Sequence, residues 1–286
     1  MRHTVPAADE LLDIKHPLLD HGGVALLDYM GSDKAIEQAA RVSFVGDEEE
    51  ERTEEQTRGL IRYLIRHKHT TPLEMVELKF WVKCPIFVAR QWIRHRTANT
   101  NEISGRYTEL PDEFYVPATS RMNAQSVSNK QGSAKTILPQ ADDLRDQISA
   151  GQVSARQDYE HFLKVDLAKE LARINLPVSQ YTEFVWKIDL HNLMHFLALR
   201  MDSHAQWEIR EYGNVMAKMT QAVAPVAYEA FEDYRLNAVT FSGPVMDAIR
   251  DQMKFWGEAP MREMLKKHGV TGREADEVVR ALQKAD

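Results

Sequence analysis

Two rhythms of apolar and polar residues divide the chain. Residues 24–30 form a short apolar run ended by Gly31, which predicts a first strand. Ser32 has the side chain of an N-cap and opens a helix through Ile36, Ala39 and Ala40. Residues 54–67 carry Leu60, Ile61, Leu64 and Ile65 on one helical face and Glu54, Arg58, Arg62 and Arg66 on the other. Residues 67–74 then read as a turn broken at Pro72. From 76 to 83 the period changes to strict alternation, that of a half-buried strand. Pro85 suits the first turn of a helix over 86–93, and a second alternating strand follows at 182–188. Helices are predicted at 152–175, ending before Pro177, and at 189–201, 203–222 and 225–236. Beyond Ser242 two or three short helices are expected, broken at Gly257, Pro260 and Gly269. The acidic run 47–51 reads as solvated and mobile, and the Ser-, Asn-, Gln- and Gly-rich stretch 119–135 as a flexible loop.

Strands interspersed with helices, without a clean linker, predict one α/β (α+β) domain over 1–286. A central mixed or antiparallel sheet flanked by helices would occupy about 24–242, with 243–286 as a helical extension. No internal repeat is evident. The first strand is not followed by G-x-G-x-x-G, and no G-x-x-x-x-G-K-[ST] occurs, so neither of those nucleotide-binding architectures is indicated.

At 286 residues, 43% apolar and 28% charged, the chain has the composition of an ordinary globule able to bury a full core. Its amino terminus lacks the apolar centre of a signal peptide, and no apolar run approaches the ~20 residues of a membrane span. A cytoplasmic enzyme with no membrane partner is expected. Cys84 is the single cysteine, which excludes an internal disulfide and a thiolate metal cluster. The net charge of −7 argues against duplex nucleic acid as a partner.

Against that negative average, one segment concentrates cations. Arg90, Arg94, Arg96 and Arg106 face a single acid, Glu102, between residues 90 and 107. Guanidinium forks suit phosphate and carboxylate, and Asn99, Asn101, Ser104 and Gly105 add short polar donors in what reads as a loop. The segment therefore predicts an anion site rather than a solvated basic helix. Other candidate groups are weaker. His191 and His195 stand four residues apart on a predicted helix, yet no Glu follows His191 and no third ligand is apparent, so no metal is expected. Cys84 reads as a small buried hydrophobe, and Ser104 as a hydrogen-bond donor without a base to activate it. Trp92, Trp186 and Trp207 read as core aromatics. Besides an enzyme, the arginines are compatible with a non-catalytic nucleotide- or RNA-binding module, and the histidines with a metal-dependent phosphohydrolase.

The triplet Arg94-His95-Arg96, seven residues, then Ser104 and Arg106-Tyr107, resembles the signature of the flavin-dependent thymidylate synthases, with Asn99 where that family commonly has Ser. His69-x-Thr71-Pro72, Asp189-Leu-His191-Asn with His195, and the block from Leu199-Arg200 to Ile209 are similar to further family segments. The likeness implies conversion of dUMP to dTMP, with methylenetetrahydrofolate giving the carbon, NADPH the reducing equivalents, and FAD held between subunits of a homotetramer. By this resemblance Thr71, Arg94, His95, Arg96, Glu102, Asp189, Leu190, His191 and His195 contact FAD. Gln91, Trp92, Ile93, Arg94, Glu102, Ile103, Ser104, Gly105, Arg106, Arg173 and Arg200 contact dUMP, with Arg173 arriving from a neighbouring chain. Arg200 is the expected catalytic group, favouring loss of the N3 proton of uracil.

Overall fold

The computed structural model describes residues 4–42, 52–127, 130–253 and 255–283, so the acidic run 47–51 lies outside the described residues. The chain divides into two compact units, Met1–Asn237 and Ala238–Asp286. In the first, α1 (Pro6–Asp9) precedes β1 (His16–Leu18), β2 (Gly22–Met30), α2 (Asp33–Arg41) and α3 (Glu54–Arg66). A short 3-10 turn, Thr71–Met75, leads into β3 (Glu77–Pro85), α4 (Ile86–Trp92) and β4 (Ala98–Glu102). Then come β5 (Asn123–Gln125), β6 (Ser133–Ile137), α5 (Ala141–Lys164), α6 (Lys169–Ala172) and β7 (Tyr181–Asp189). The unit closes with α7 (Leu190–Arg200), α8 (Trp207–Val223) and α9 (Pro225–Phe231), the last continued by a π turn over Glu232–Leu236. The second unit consists of α10 (Gly243–Met253), α11 (Glu258–Lys267) and α12 (Gly272–Gln283), with Pro260 inside the first turn of α11 rather than breaking it.

Five strands form one sheet in the order β1-β2-β3-β7-β4, and every neighbouring pair is antiparallel. The alternation of β3 explains its two faces. Leu78, Phe80, Val82 and Cys84 are buried, whereas Glu77, Lys79, Trp81 and Lys83 are not. Helices α2, α3, α4, α7, α8 and α9 cover the apolar face, contributing Ile36, Ile61, Trp92, Phe196, Tyr212 and Phe231 to one core. The opposite face carries cross-strand pairs, Lys187 with Glu77 at 2.8 Å and Lys79 with Asp28 at 3.3 Å, as befits an antiparallel sheet covered on one side.

Three local readings change. Residues 98–102 are an edge strand, not a loop, paired only with β7 from Ala98↔Ile188 to Glu102↔Phe184. Its side chains are mostly exposed, so no alternation marks it. Part of 119–135 forms the hairpin β5–β6. The helix expected at 152–175 begins at Ala141, after Pro139 and with Asp142 and Asp143 in its first turn. It stops at Lys164, where Asp166 takes the left-handed conformation (φ 63°) that ends helices.

Candidate functional site

The arginine triplet is held at both ends. On one side, the Trp92 indole is fully buried among Phe184, Trp186, Phe196 and Tyr212, with ring centroids 4.8–5.7 Å away. On the other, Ala98 enters the sheet against Ile188. Arg94, His95 and Arg96 span the gap between these fixed points. Helix α7 rises directly from β7, capped by Asp189, which accepts from Asn192 N at 2.9 Å and from Asn192 Nδ2 at 2.7 Å. Helical spacing then brings Asn192, His195 and Leu199 onto one face. Together with Arg94, His95, Arg96, Thr97 and Arg200 they line an open cleft of about 600 Å³.

Arg200 organises that cleft. Its Nε donates to His95 Nε2 at 3.1 Å, and its Nη2 donates to the backbone carbonyl of Gln91 at 3.2 Å. The carbonyl belongs to the last turn of α4, where helix oxygens lack intrahelical donors. Burial first, then the charge of Arg200 and the proximity of His195, hold His95 down at a pKa of about 4. His95 is thus a neutral acceptor at physiological pH. Among the described residues Arg90, Arg94 and Arg96 make no ion pair, and no carboxylate lines the cleft. Arg106 does find an acid, Glu170, at 3.3 Å, which the sequence reading missed because the partner lies on α6.

Two further recesses lie in the same unit. One, of about 190 Å³, shares His195 and Leu199 with the cleft and adds Lys68, Thr70, His191 and Arg235. The other, of about 730 Å³, is mainly apolar and includes Tyr63, His69, Thr71 and Pro72. The donor set suits a phosphate-bearing cofactor with a flat ring system: unpaired guanidiniums, neutral imidazole, and apolar walls.

The second half of the predicted set gathers at the far end of β4. Glu102 accepts a short hydrogen bond from Thr182 Oγ1, which pins it to β7. The Ser104 carbonyl accepts from Tyr107 N at 3.0 Å and Thr108 N at 3.1 Å, and its hydroxyl accepts from Arg106 N at 3.3 Å, making a tight turn. Gly105 leaves room there for its neighbours: a Cβ would lie 3.0 Å from Arg173 Cδ and 3.1 Å from Leu110 Cδ1, so one of those side chains would have to give way slightly. Arg173 therefore lies against Gly105 of its own chain. Ile93 and Ile103 are partly exposed, but the side chains of Trp92 and Leu190 are fully buried. Any contact those two make with a ligand is left to their backbone atoms.

Ser104 has no base beside it among the described residues, and Cys84 is fully buried with its thiol pushed well up by burial. No group of three or more His, Cys, Asp or Glu side chains among the described residues is placed to hold a metal ion. The motif blocks read from the sequence include Asn192, Gln206 and Glu208, but none of the three was assigned a role. Their positions follow Asp189 and Arg200 closely in the chain, and that proximity was the available signal.

An antiparallel α+β fold here carries a cationic cleft with no carboxylate among its lining residues, a setting suited to an anionic ligand. Comparison with known proteins narrows the class. Residues 25–226 match the family model described as "Thymidylate synthase complementing protein". The "Flavin-dependent thymidylate synthase" of Ruegeria pomeroyi is 47% identical over 94% of this chain and 88% of its own. That of Wolbachia pipientis wMel is 46% identical over 99% of this chain and 97% of its own. Among solved structures, the UMP/dUMP methylase PolB from Streptomyces cacaoi bound with 5-Br dUMP superposes with a TM-score of 0.71 at 33% identity, covering 77% of this chain and 99% of that one. The chain belongs to the flavin-dependent thymidylate synthase family.

Proposed function

We propose that this protein methylates dUMP reductively to dTMP in the cytoplasm, with FAD as cofactor, NADPH as source of reducing equivalents and 5,10-methylenetetrahydrofolate as carbon donor. The observation that carries the proposal is the fixed guanidinium of Arg200, set by His95 and the Gln91 carbonyl at the mouth of a cleft lined by unpaired Arg94 and Arg96. The absence of a helix long and apolar enough to cross a membrane, among the described residues, accords with this reading.

FAD would be held by Arg94, His95, Arg96, His195, Asp189, His191, Thr71 and Glu102, with backbone help from Leu190. When bound, it supplies the hydride chemistry. The chain's own residues bind and polarise the nucleotide. Ser104, Gly105, Arg106 and Arg173 form the phosphate-binding end, while Gln91, Arg94, Glu102 and Arg200 address the sugar and ring, with Trp92, Ile93 and Ile103 alongside. Methylation at C5 needs electron density on that carbon. The only cysteine is buried and protonated, so it is not available to add at C6. Arg200 against the pyrimidine edge instead stabilises the negative charge left when N3 loses its proton, and the ring becomes an enolate-like nucleophile at C5.

These groups fall into two clusters along the chain. The Arg94 cluster precedes β4 and the Ser104 cluster follows it, and β4 alone carries the backbone about 14 Å at roughly 3.4 Å per residue. The reading that reconciles them is a homotetramer in which one subunit supplies Gln91, Arg94 and Arg200 and another supplies Glu102 to Arg106 with Arg173. Exposed Leu171, Ile174 and Tyr107 around Arg173 and Arg106 suit such an interface.

The direct test is an absorbance spectrum of purified protein followed by release of tritium from dUMP labelled at C5. Yellow protein that releases tritium only when folate and NADPH are both supplied supports the proposal. Correctly folded protein that cannot take up FAD, or releases no tritium when complete, rejects it.

A further inference from the structure

A chain of hydrogen bonds runs away from the cleft into the protein. Glu208, on the first turn of α8, is 3% exposed. Its Oε1 accepts from Arg121 Nε at 3.1 Å, Arg121 Nη2 at 3.0 Å and the Tyr115 hydroxyl at 3.1 Å. Its Oε2 accepts from Gln206 Nε2 at 2.8 Å. Gln206 Oε1 in turn accepts from Gln91 Nε2. Separately from that side-chain bond, the backbone carbonyl of Gln91 receives Arg200 Nη2 at 3.2 Å. Arg121 is itself held over the Trp207 ring, 4.9 Å from its centroid.

The polarity of this chain is fixed from its buried end. An ionised carboxylate only accepts, so Gln206 must turn its NH₂ toward Glu208 and present its oxygen to Gln91. Gln91 must then donate, which leaves its own Oε1 without a partner among the described residues. A side-chain amide that rotated freely would offer a donor or an acceptor with equal ease. Here only the acceptor is left over.

We propose that Glu208, anchored by Arg121 and acting through Gln206, is a positioning residue that fixes Gln91 as a hydrogen-bond acceptor beside Arg200 and thereby selects a pyrimidine bearing an imide N–H. The proposal rests on the reading of Gln91 and Arg200 as dUMP contacts. Uracil presents N3–H to such an oxygen. Cytosine presents a bare ring nitrogen and is refused, because two acceptors would face each other in a partly desolvated site. Neither Glu208 nor Gln206 touches the substrate. Their effect is transmitted by the orientation of one amide.

The test compares FAD-loaded wild-type protein with Gln206→Leu and Glu208→Gln. Affinities for dUMP and dCMP are measured by titration, and kcat and KM for dUMP by tritium release. Gln206→Leu interrupts the relay at an exposed link, so flavin content should stay at the wild-type value. The expected result is a fall in the dUMP-to-dCMP affinity ratio on the order of tenfold, the scale of one hydrogen bond. Glu208→Gln should reproduce it, and combining both substitutions should add little. Should Glu208→Gln fail to fold, Gln206→Leu decides alone. An unchanged ratio in Gln206→Leu overturns the relay while dUMP methylation by the wild type stands. Wild-type protein that neither binds nor methylates dUMP removes the proposed function and the relay together.

Discussion

Arg200 and His95 form a pair in which the guanidinium donates and the imidazole accepts, Nε to Nε2 at 3.1 Å. That geometry requires a neutral His95 with its proton on Nδ1. The low pKa, about 4 against the usual 6.5, has burial as its main cause and the adjacent Arg200 charge as its second. Protonation would remove the acceptor and set two cations side by side.

The pH dependence follows with a definite sign. Between pH 6.5 and about 4 an unfolded chain takes up a proton at this histidine that the folded chain refuses. Acidification through that window therefore lowers stability, and below it the effect is complete. Carbon-13 NMR of the imidazole should show His95 titrating near 4, with no change between pH 6 and 8. A midpoint near 6.5 would mean that Arg200 is not held as described.

Arg200→Lys should retain FAD and lose methylation by a factor on the order of 10² to 10³, the effect of removing a preorganised donor from a charge-developing site. An ammonium cannot serve His95 and the Gln91 carbonyl while presenting a planar fork to the ring. Flavin absorbance and kcat, measured on one preparation, separate the two functions. Near-normal turnover would remove Arg200 from the activating role.

Gly105→Ala probes the other half. The added methyl would sit 3.0 Å from Arg173 Cδ and 3.1 Å from Leu110 Cδ1, so Arg173 must shift. KM for dUMP should rise about tenfold or more with FAD content unchanged, since a displaced guanidinium loses a charge-assisted bond to phosphate. A KM at the wild-type value would place Arg173 outside the phosphate-binding end.

Cys84 yields a prediction of absence. Buried, with its thiol pushed well above the usual range, it should not react with a thiol reagent at pH 8 until the protein unfolds. Cys84→Ala should keep its kcat. Loss of turnover in a folded variant would revive a cysteine nucleophile.

What the sequence revealed follows from where each residue is buried. β3 and β7 carry about half their side chains into the core and α3 buries Ile61, Leu64 and Ile65 on one face, so their periods of two and 3.6 were visible. β4 could not be read that way: an exposed edge strand of Ala, Asn, Thr, Asn and Glu has no apolar face to betray it. The start of α5 was hidden for the same reason, as most of that helix is solvent-facing. Among site residues, Arg94, His95, Arg96, His195 and Arg200 line one cleft. That Ser104 to Arg106 lie at the opposite end of a strand, with Arg173 from the same chain, is a matter of tertiary packing that spacing does not encode. The role of Gln206 and Glu208 was equally invisible, because it depends on Arg121 returning from the 119–125 segment.

The most direct trial of a site divided between chains is complementation between Arg200→Lys and Arg173→Ala, co-expressed with different tags and purified as hybrids. Each variant alone should release almost no tritium from C5-labelled dUMP. If dUMP lies between Arg200 of one subunit and Arg173 of another, random pairing restores an intact combination at about a quarter of the sites, and activity should recover to that level. Hybrids no more active than the two parents would contradict the account.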